Sequence, residues 1–157
     1  MYAIGDKILY PMHGAGIVET IEEKEILGEL RKYYILKVSW GEMKMMIPVD
    51  TSDEIGVRYI ISHDEIDAVV GILQADTSEM PGNWNRRYRE NMEKLKTGDI
   101  LQVAEVVRNL IRTERKKKLS AGEKKMLANA RQILQSELVL AGDMDESSAC
   151  KLVEEAV

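Results

Sequence analysis

The sequence predicts an α+β fold of two domains. The first, over residues 1–60, is a small antiparallel β-barrel of the Tudor or SH3 type, and the second, over residues 61–157, is an all-α helical bundle. Two observations support this division. The first 60 residues contain short runs of alternating polarity separated by glycine turns, which is typical of small barrels. From residue 62 onwards, apolar residues recur at spacings of three and four, which is the period of a helix.

Four short strands are expected in the β domain, over residues 7–12, 17–21, 34–40 and 43–49. The first two are joined by His13-Gly-Ala-Gly16, where glycine tolerates the positive φ of a tight turn. In the third, Tyr34, Leu36 and Val38 alternate with more polar positions and form one face fit for a core. Trp40 at its end is expected to close the barrel.

The fourth strand is expected to lie at an edge, because Pro48 cannot donate a hydrogen bond to a ladder. Lys44 and Met46 share its outward face, opposite Ile47. An edge strand offers backbone groups and apolar surface to a partner strand. Packing of Met46 under a loop is an equally open alternative.

The helices are marked by their caps. Ser62 to Glu65 and Ser120 to Glu123 are capping boxes, and Asn83 and Asp99 are good N-cap residues. They predict a helix after residue 65, a second over residues 84–96, a third from residue 100 to the basic run 115–118, and a fourth from residue 121 to about 140. A last short helix is expected over residues 146–155.

Several functional classes are not expected. No apolar run approaches the roughly 18 residues of a membrane helix, and no signal peptide opens the chain. The single Cys150 excludes an intramolecular disulfide and fits a reducing cytosol, so a cytoplasmic protein is expected. His13, His63 and Cys150 form no zinc spacing, and no phosphate-binding loop is present. We expect no enzymatic activity, no metal or cofactor and no small-molecule substrate.

Charge is distributed unevenly. The net charge is −5, yet residues 80–131 hold 14 basic and 6 acidic side chains, and both flanking segments are acidic. A basic block between acidic flanks suggests a polyanionic partner. The alternative is an ordinary solvated helical face.

The start of the second predicted helix has two interpretations. Spacings of four, four and three place an apolar stripe on one side of this helix, consisting of Trp84, Tyr88, Met92 and Leu95, which is typical of a core. Trp84 also lies next to Arg86, Arg87 and Arg89, which is typical of an aromatic wedge that contacts nucleic acid. At 100° per residue the three arginines point in different directions, so we expect at least one to pair with a carboxylate or to cap.

Three segments carry a resemblance to a known family. They are Gly5-Asp-Lys-Ile-Leu-Tyr-Pro-Met-His-Gly14, Asn83-Trp-Asn-Arg-Arg-Tyr-Arg89, and Leu119-Ser-Ala-Gly-Glu-Lys-Lys-Met-Leu127 with Ala130-Arg-Gln-Ile-Leu134. Over nearly its whole length the chain resembles the CarD/CdnL family of bacterial transcription regulators. The resemblance implies that the β module binds the lobe of the RNA polymerase β subunit by edge-strand pairing. It also implies that the helical domain contacts the minor groove of promoter DNA at the upstream edge of the minus-ten element and stabilises the open complex.

The resemblance assigns site residues by position. The DNA-binding set is Trp84, Arg86, Arg87, Arg89, Lys124 and Lys125, with Trp84 as the wedge. The polymerase-binding set is Lys24, Lys44, Met46, Ile47 and Pro48. Met46 departs from the arginine of actinobacterial members, and Lys44 on the same face is a second source of positive charge. Such a protein would be nucleoid-associated through the polymerase and would bind DNA weakly on its own.

Two other functions are consistent with the residues. One is a protein–protein adaptor that uses the barrel edge and never contacts nucleic acid, and the other is RNA binding by the small barrel. The net charge of −3 over residues 1–60 disfavours RNA binding. Exposure of Trp84 discriminates the adaptor from the DNA-contacting regulator, since a fully buried Trp84 would favour the adaptor.

Overall fold

The computed structural model describes all residues from Met1 to Val157, and its N-terminal part is one antiparallel sheet of five strands. The strands are β1 (Lys7–Tyr10), β2 (Gly14–Ile26), β3 (Glu29–Val38), β4 (Lys44–Pro48) and β5 (Arg58–Tyr59), in the spatial order β4-β3-β2-β1-β5. The predicted β-module followed by helices is confirmed. The predicted barrel needs correction, because β4 and β5 do not pair and the sheet stays open.

One face of the sheet forms a small core, as the alternation in β3 predicted. Tyr34, Leu36 and Val38 are buried together with Ile8 and Ile47. Gly16 of β2 lets the strands come close, because a Cβ atom there would lie 2.3 Å from the carbonyl oxygen of Lys37 in β3. Trp40 is partly buried against this core, at the end of β3.

The β2–β3 hairpin is much longer than predicted. The ladder continues from Ile21 paired with Tyr34 out to Ile26 paired with Glu29, so that an arm of two strands extends beyond β1 and β4. Hydrophobic alternation could not indicate this arm, because charged side chains fill most of it. The backbone hydrogen bonds of the ladder hold it instead.

Six helices follow or interrupt the sheet. They are α1 (Ser52–Ile55), α2 (Ile66–Gln74, after a 3-10 turn at His63–Glu65), α3 (Trp84–Lys96), α4 (Ile100–Lys116), α5 (Ala121–Gly142) and α6 (Glu146–Ala156). The side chains of Asn83, Asp99 and Ser120 accept hydrogen bonds from backbone N–H groups of the first turns, so these predicted caps are confirmed. Helix α1 and strand β5 were missed, since such short elements carry no readable period.

The sheet and the helices share a second, larger core. Its 22 buried residues come mainly from α2, α4, α5 and α6, but they include Leu9 and Ala15 of the sheet. The Ala15 N–H donates to Ser136 Oγ of α5 at 2.9 Å, and Ser39 Oγ donates to the Ser136 carbonyl at 2.7 Å. The boundary at residue 60 falls just after β5 and stays a prediction. None of the helices is long and apolar enough to cross a membrane.

A buried ion pair joins β5 to α5. Both terminal nitrogens of Arg58 bond the Glu137 carboxylate, at 2.7 and 2.9 Å, and Arg58 also donates twice to the Gly98 carbonyl. The Ile61 N–H donates to the same carboxylate at 2.9 Å, and Glu137 is only 1% exposed. Three donors thus satisfy one buried carboxylate and hold the sheet, α5 and the α3–α4 turn together.

Candidate nucleic-acid interface and docking edge

The most prominent exposed aromatic side chain of the helical part is Trp84, in the first turn of α3. The Asn83 side chain accepts from the Arg86 N–H at 3.0 Å and fixes the start of the helix. The indole stacks on Tyr88, with ring centroids 5.2 Å apart and an interplanar angle of 22°. Trp84 nevertheless stays 41% exposed. One face of the ring therefore packs on the protein, and a large part of the side chain stays accessible to a partner.

The indole is seated on the N-terminus of α5. Trp84 Nε1 donates to Ser120 Oγ at 3.0 Å, and Ser120 is also the N-cap of α5. A Cβ atom at Gly122 would lie 3.2 Å from Trp84 Cζ2. Glycine at this position is what lets the ring lie across the first turn of α5. The remaining stripe packs inward, with Leu95 fully buried and Tyr88 and Met92 partly buried against the core.

A Gly122→Ala variant is expected to displace the indole without unfolding the protein, because the added methyl group meets the edge of the ring while alanine favours the helix. In a Trp40→Phe background, where Trp84 is the only tryptophan, its fluorescence should become more readily quenched by acrylamide. Ala128→Gly, at an exposed position of the same helix, is the matched control and should leave quenching unchanged. Unchanged quenching in Gly122→Ala would show that Gly122 does not seat the ring.

The three arginines of α3 have different surroundings, as the helical geometry predicted. Arg86 pairs with Glu90 one turn later, with Nε and Oε1 3.2 Å apart, and is largely exposed. Arg87 is mostly buried: it bonds both carboxylate oxygens of Glu123, at 3.1 and 3.2 Å, and donates to two carbonyls of the preceding turn. Arg89 is exposed and makes no ion pair within 4.0 Å.

Arg87 and Glu123 therefore form a largely buried ion pair close to Trp84. The pair ties the Pro81-Gly82 turn and α3 to the first turn of α5, where the indole is seated. The sequence identified Glu123 as part of a capping box, and only half of that box is present: the Glu123 N–H donates to Ser120 Oγ, but the Glu123 carboxylate accepts from the Ser120 hydroxyl instead of the Ser120 backbone N–H. The sequence did not predict that Arg87 is the partner of Glu123, because two residues 36 positions apart leave no local pattern.

The other two predicted DNA-binding cations lie on the exposed surface near the start of α5. Lys124 and Lys125 directly follow Glu123 and are both exposed, without an ion pair. Lys116, Lys117 and Lys118 at the α4–α5 turn are also exposed and end two residues before Ser120. From the sequence, these lysines were expected only to mark the C-terminus of the preceding helix. Five exposed lysines without an ion pair therefore flank Ser120 in the sequence.

Four of the five predicted docking residues lie in β4, at the edge of the sheet, and the fifth, Lys24, lies in β2. Met46 is 39% exposed, Pro48 is half-buried, and Ile47 is completely buried in the sheet core. Ile47 can therefore offer a partner only its backbone. Lys44 pairs with Glu19 at 3.1 Å, and Lys24 lies 3.6 Å from Glu22, so both charges are partly neutralised.

No group of three or more His, Cys, Asp and Glu side chains is placed to hold a metal ion. His13 stacks near Tyr10, with ring centroids 4.2 Å apart, and burial lowers the pKa of its imidazole. No carboxylate orients this ring among the side-chain hydrogen bonds of the chain. The molecule exposes an aromatic side chain and cations on its helices and an open strand edge on its sheet.

Comparisons with known proteins agree with this geometry. Residues 2–61 match the model of the CarD-like/TRCF RID domain, and residues 68–154 match that of the CarD C-terminal domain. The chain is 45% identical over 138 residues to the "Putative transcription factor YdeB" of Bacillus subtilis (strain 168), which covers 88% of this chain and 90% of that protein. The family and the name of this relative indicate a transcription factor rather than an enzyme. The chain belongs to the CarD family of transcription regulators.

Proposed function

We propose that this regulator binds the β subunit of RNA polymerase through its β4 edge and contacts promoter DNA through the surface around Trp84, and that it thereby stabilises the open promoter complex. The observation that carries the proposal is the half-exposed Trp84 at a helix start, among exposed cations on α3 and α5. The family resemblance supplies the identity of the two partners.

The polymerase contact is supported by the open edge. Strand β4 ends the sheet, so its outer backbone groups have no strand partner. Edge-strand pairing draws its affinity from main-chain hydrogen bonds, so Met46 in place of an arginine leaves that part of the contact intact. Lys24 and Lys44 add charge on the outward face, although each already has a carboxylate neighbour.

The DNA contact is supported by the exposed ring of Trp84 and by the exposed cations close to it in the chain. An apolar wedge that enters the minor groove must unstack a base step, which costs a few kcal/mol. The cost is lower where the duplex is already distorted, as at the upstream edge of a transcription bubble. Arg89, Lys124 and Lys125 are free to contact phosphates, and Arg86 can join them by releasing Glu90.

Arg87 has a different part in this proposal. Its guanidinium is committed to Glu123 and to the Pro81 and Gly82 carbonyls, so it is not available to phosphates. We assign it as a positioning residue that holds α3 against α5 and so fixes the direction of the Trp84 ring.

The adaptor alternative is less well supported. It was expected to show a fully buried Trp84, whereas the ring is 41% exposed and unpaired cations lie close to it in the chain.

The test of the proposed function is the lifetime of the open promoter complex with and without the protein, together with binding of the protein to RNA polymerase core enzyme.

Binding to free duplex DNA is expected to be weak and only modestly salt-dependent. Three phosphate contacts give a slope of about −3 in a plot of log K against log salt concentration, and affinity in the micromolar range or weaker. The Lys124→Ala/Lys125→Ala variant should reduce the magnitude of the slope by about two, to about −1. Lys151→Ala, on an exposed part of α6, should leave it unchanged. Nanomolar binding to linear duplex without polymerase would contradict the proposal.

A further inference from the structure

Helix α3, which carries Trp84, is held in place mainly by polar contacts. Only two of its thirteen side chains are buried, those of Asn91 and Leu95, whereas α4 beside it buries nine of seventeen. So small a buried apolar surface does little to fix a helix in one orientation. The direction of Trp84 therefore depends on the polar contacts at the two ends of α3.

The ion pair between the first turn of α3 and α5 has a counterpart at the other end of the helix. Lys94 Nζ donates to Glu105 Oε1 of α4 at 2.8 Å, and Ser78 Oγ donates to the same oxygen at 2.7 Å. Burial opposes ionisation of Glu105, but these two hydrogen bonds outweigh it and lower the pKa of its carboxyl. One charged oxygen thus joins α3, α4 and the linker between α2 and α3 (residues 75–83).

A buried arginine also holds the linker to α4. Arg108 is 3% exposed, and no carboxylate lies within 4.0 Å of its guanidinium. Its three hydrogen bonds go to neutral oxygens, namely Ser78 Oγ at 2.7 Å, the Ile72 carbonyl at 3.0 Å and Asn109 Oδ1 at 3.0 Å. Asn109 Oδ1 also accepts from the Ser78 N–H at 3.3 Å. Both the backbone and the side chain of Ser78 are therefore bonded to α4.

The linker anchor consists of five side chains: Ser78, Lys94, Glu105, Arg108 and Asn109. It is costly to keep, because neutral acceptors replace only part of the hydration that a buried cation loses. The buried side-chain nitrogen of Asn109 has no hydrogen-bond partner, which costs about 1–3 kcal/mol. Apolar side chains of similar volume commonly fill such places without loss of stability. Costly polar groups that folding does not require are typical of functional sites.

Geometry explains how the linker anchor acts on the distant indole. Lys94 lies ten residues after Trp84 in α3, which is about 15 Å along the helix axis at about 1.5 Å per residue. A tilt of about 10° around that end displaces the indole by about 2.6 Å. Such a displacement is enough to break the 3.0 Å hydrogen bond from Trp84 Nε1 to Ser120 Oγ.

We propose that Ser78 and Arg108 are positioning residues, which hold the linker and the end of α3 to α4 and thereby fix the direction in which Trp84 is presented to a minor groove. Arg108 is buried, so it takes no direct part in the DNA contact. The effect on DNA rests on the proposed function, whereas the position of the indole in the free protein does not.

Ser78→Ala is the most direct test, because it removes one acceptor of Arg108 and one donor to Glu105. In a Trp40→Phe background, the fluorescence of Trp84 should become more readily quenched by acrylamide. With RNA polymerase holoenzyme, the variant should bind as tightly as the wild type but give an open-complex lifetime about fivefold shorter. Ser78→Thr, which keeps the hydroxyl, should behave like the wild type in both measurements.

Ser136→Ala is the matched control. It also removes a serine hydroxyl that makes two hydrogen bonds, with the Ala15 N–H and the Ile133 carbonyl, but this hydroxyl joins α5 to the sheet and contacts neither the linker nor α3. It should lower the melting temperature at least as much as Ser78→Ala, because Ser136 is fully buried, and leave quenching and lifetime unchanged. Equal effects of the two variants on quenching and lifetime would overturn the proposal.

The proposed function and the positioning role fail in different ways. Wild-type quenching in Ser78→Ala would show that the linker anchor does not position the indole. Altered quenching with a wild-type lifetime would overturn its part in the DNA contact. If quenching changes but even the wild-type protein does not lengthen the lifetime, the proposed function is wrong and the positioning of Trp84 stands.

Discussion

A Trp84→Ala variant is expected to bind RNA polymerase with wild-type affinity, and yet to leave the open promoter complex about tenfold shorter-lived than the wild-type protein does. A differential contact of about 1.4 kcal/mol made only in the open complex shifts its population tenfold. The indole is the apolar group that is both exposed and held rigidly, by Tyr88 and Ser120. The measurement is decay of preformed open complexes after addition of a competitor.

Folding should not confound this variant. Trp84 is 41% exposed, so its removal deletes one stacking contact and one exposed hydrogen bond, worth about 1 kcal/mol together. Tyr59→Ala removes a similarly exposed aromatic ring from β5, away from α3 and α5, and is the matched control. It should preserve the lifetime given by the wild type. Equal lifetimes for Trp84→Ala and wild type would remove the wedge from the mechanism.

The largest effect on stability is expected at Glu137. Glu137→Ala leaves the Arg58 guanidinium and the Ile61 N–H without their shared acceptor, in a place where the carboxylate was 1% exposed. Removing one partner of a buried pair typically costs 3–5 kcal/mol, and we expect about 3 kcal/mol because Arg58 is partly hydrated. Urea unfolding followed by circular dichroism measures this change in the free energy of unfolding.

An exposed pair provides the control for Glu137. Lys151 and Glu155 lie one helical turn apart on α6, with 3.9 Å between charged atoms, and both are largely solvated. Glu155→Ala should change the free energy of unfolding by less than about 0.5 kcal/mol. If Glu137→Ala also lowers the free energy of unfolding by less than about 0.5 kcal/mol, Arg58 must find an equally good partner in the variant. The sheet would then be held to α5 by the apolar contacts alone.

Local signals in the sequence predicted most of the helical part. Asn83, Asp99 and Ser120 begin helices where their side chains were expected to cap, because a cap depends on residues within one turn. The alternation in β3 predicted its buried face, and Pro48 predicted the sheet edge. These features depend on neighbours in sequence, so the sequence shows them.

Features that depend on distant residues were not predictable. The β2–β3 arm has mostly charged side chains and no hydrophobic period. The sheet ends at β5, a strand of only two residues that does not pair with β4. The pairs of Arg58 with Glu137 and of Arg87 with Glu123 join residues 79 and 36 positions apart. For the candidate site, the sequence singled out Trp84, Arg89, Lys124 and Lys125, but not the exposed lysines at 116–118. The burial of Arg87 and the seat at Gly122 were found only in three dimensions.

The proposal that the protein stabilises open promoter complexes is tested most directly by their lifetime on one promoter, with purified RNA polymerase holoenzyme, in the presence and absence of saturating wild-type protein. We expect the protein to lengthen the lifetime about tenfold, and the gain to disappear with Trp84→Ala. A lifetime that the wild-type protein does not change would contradict the proposal.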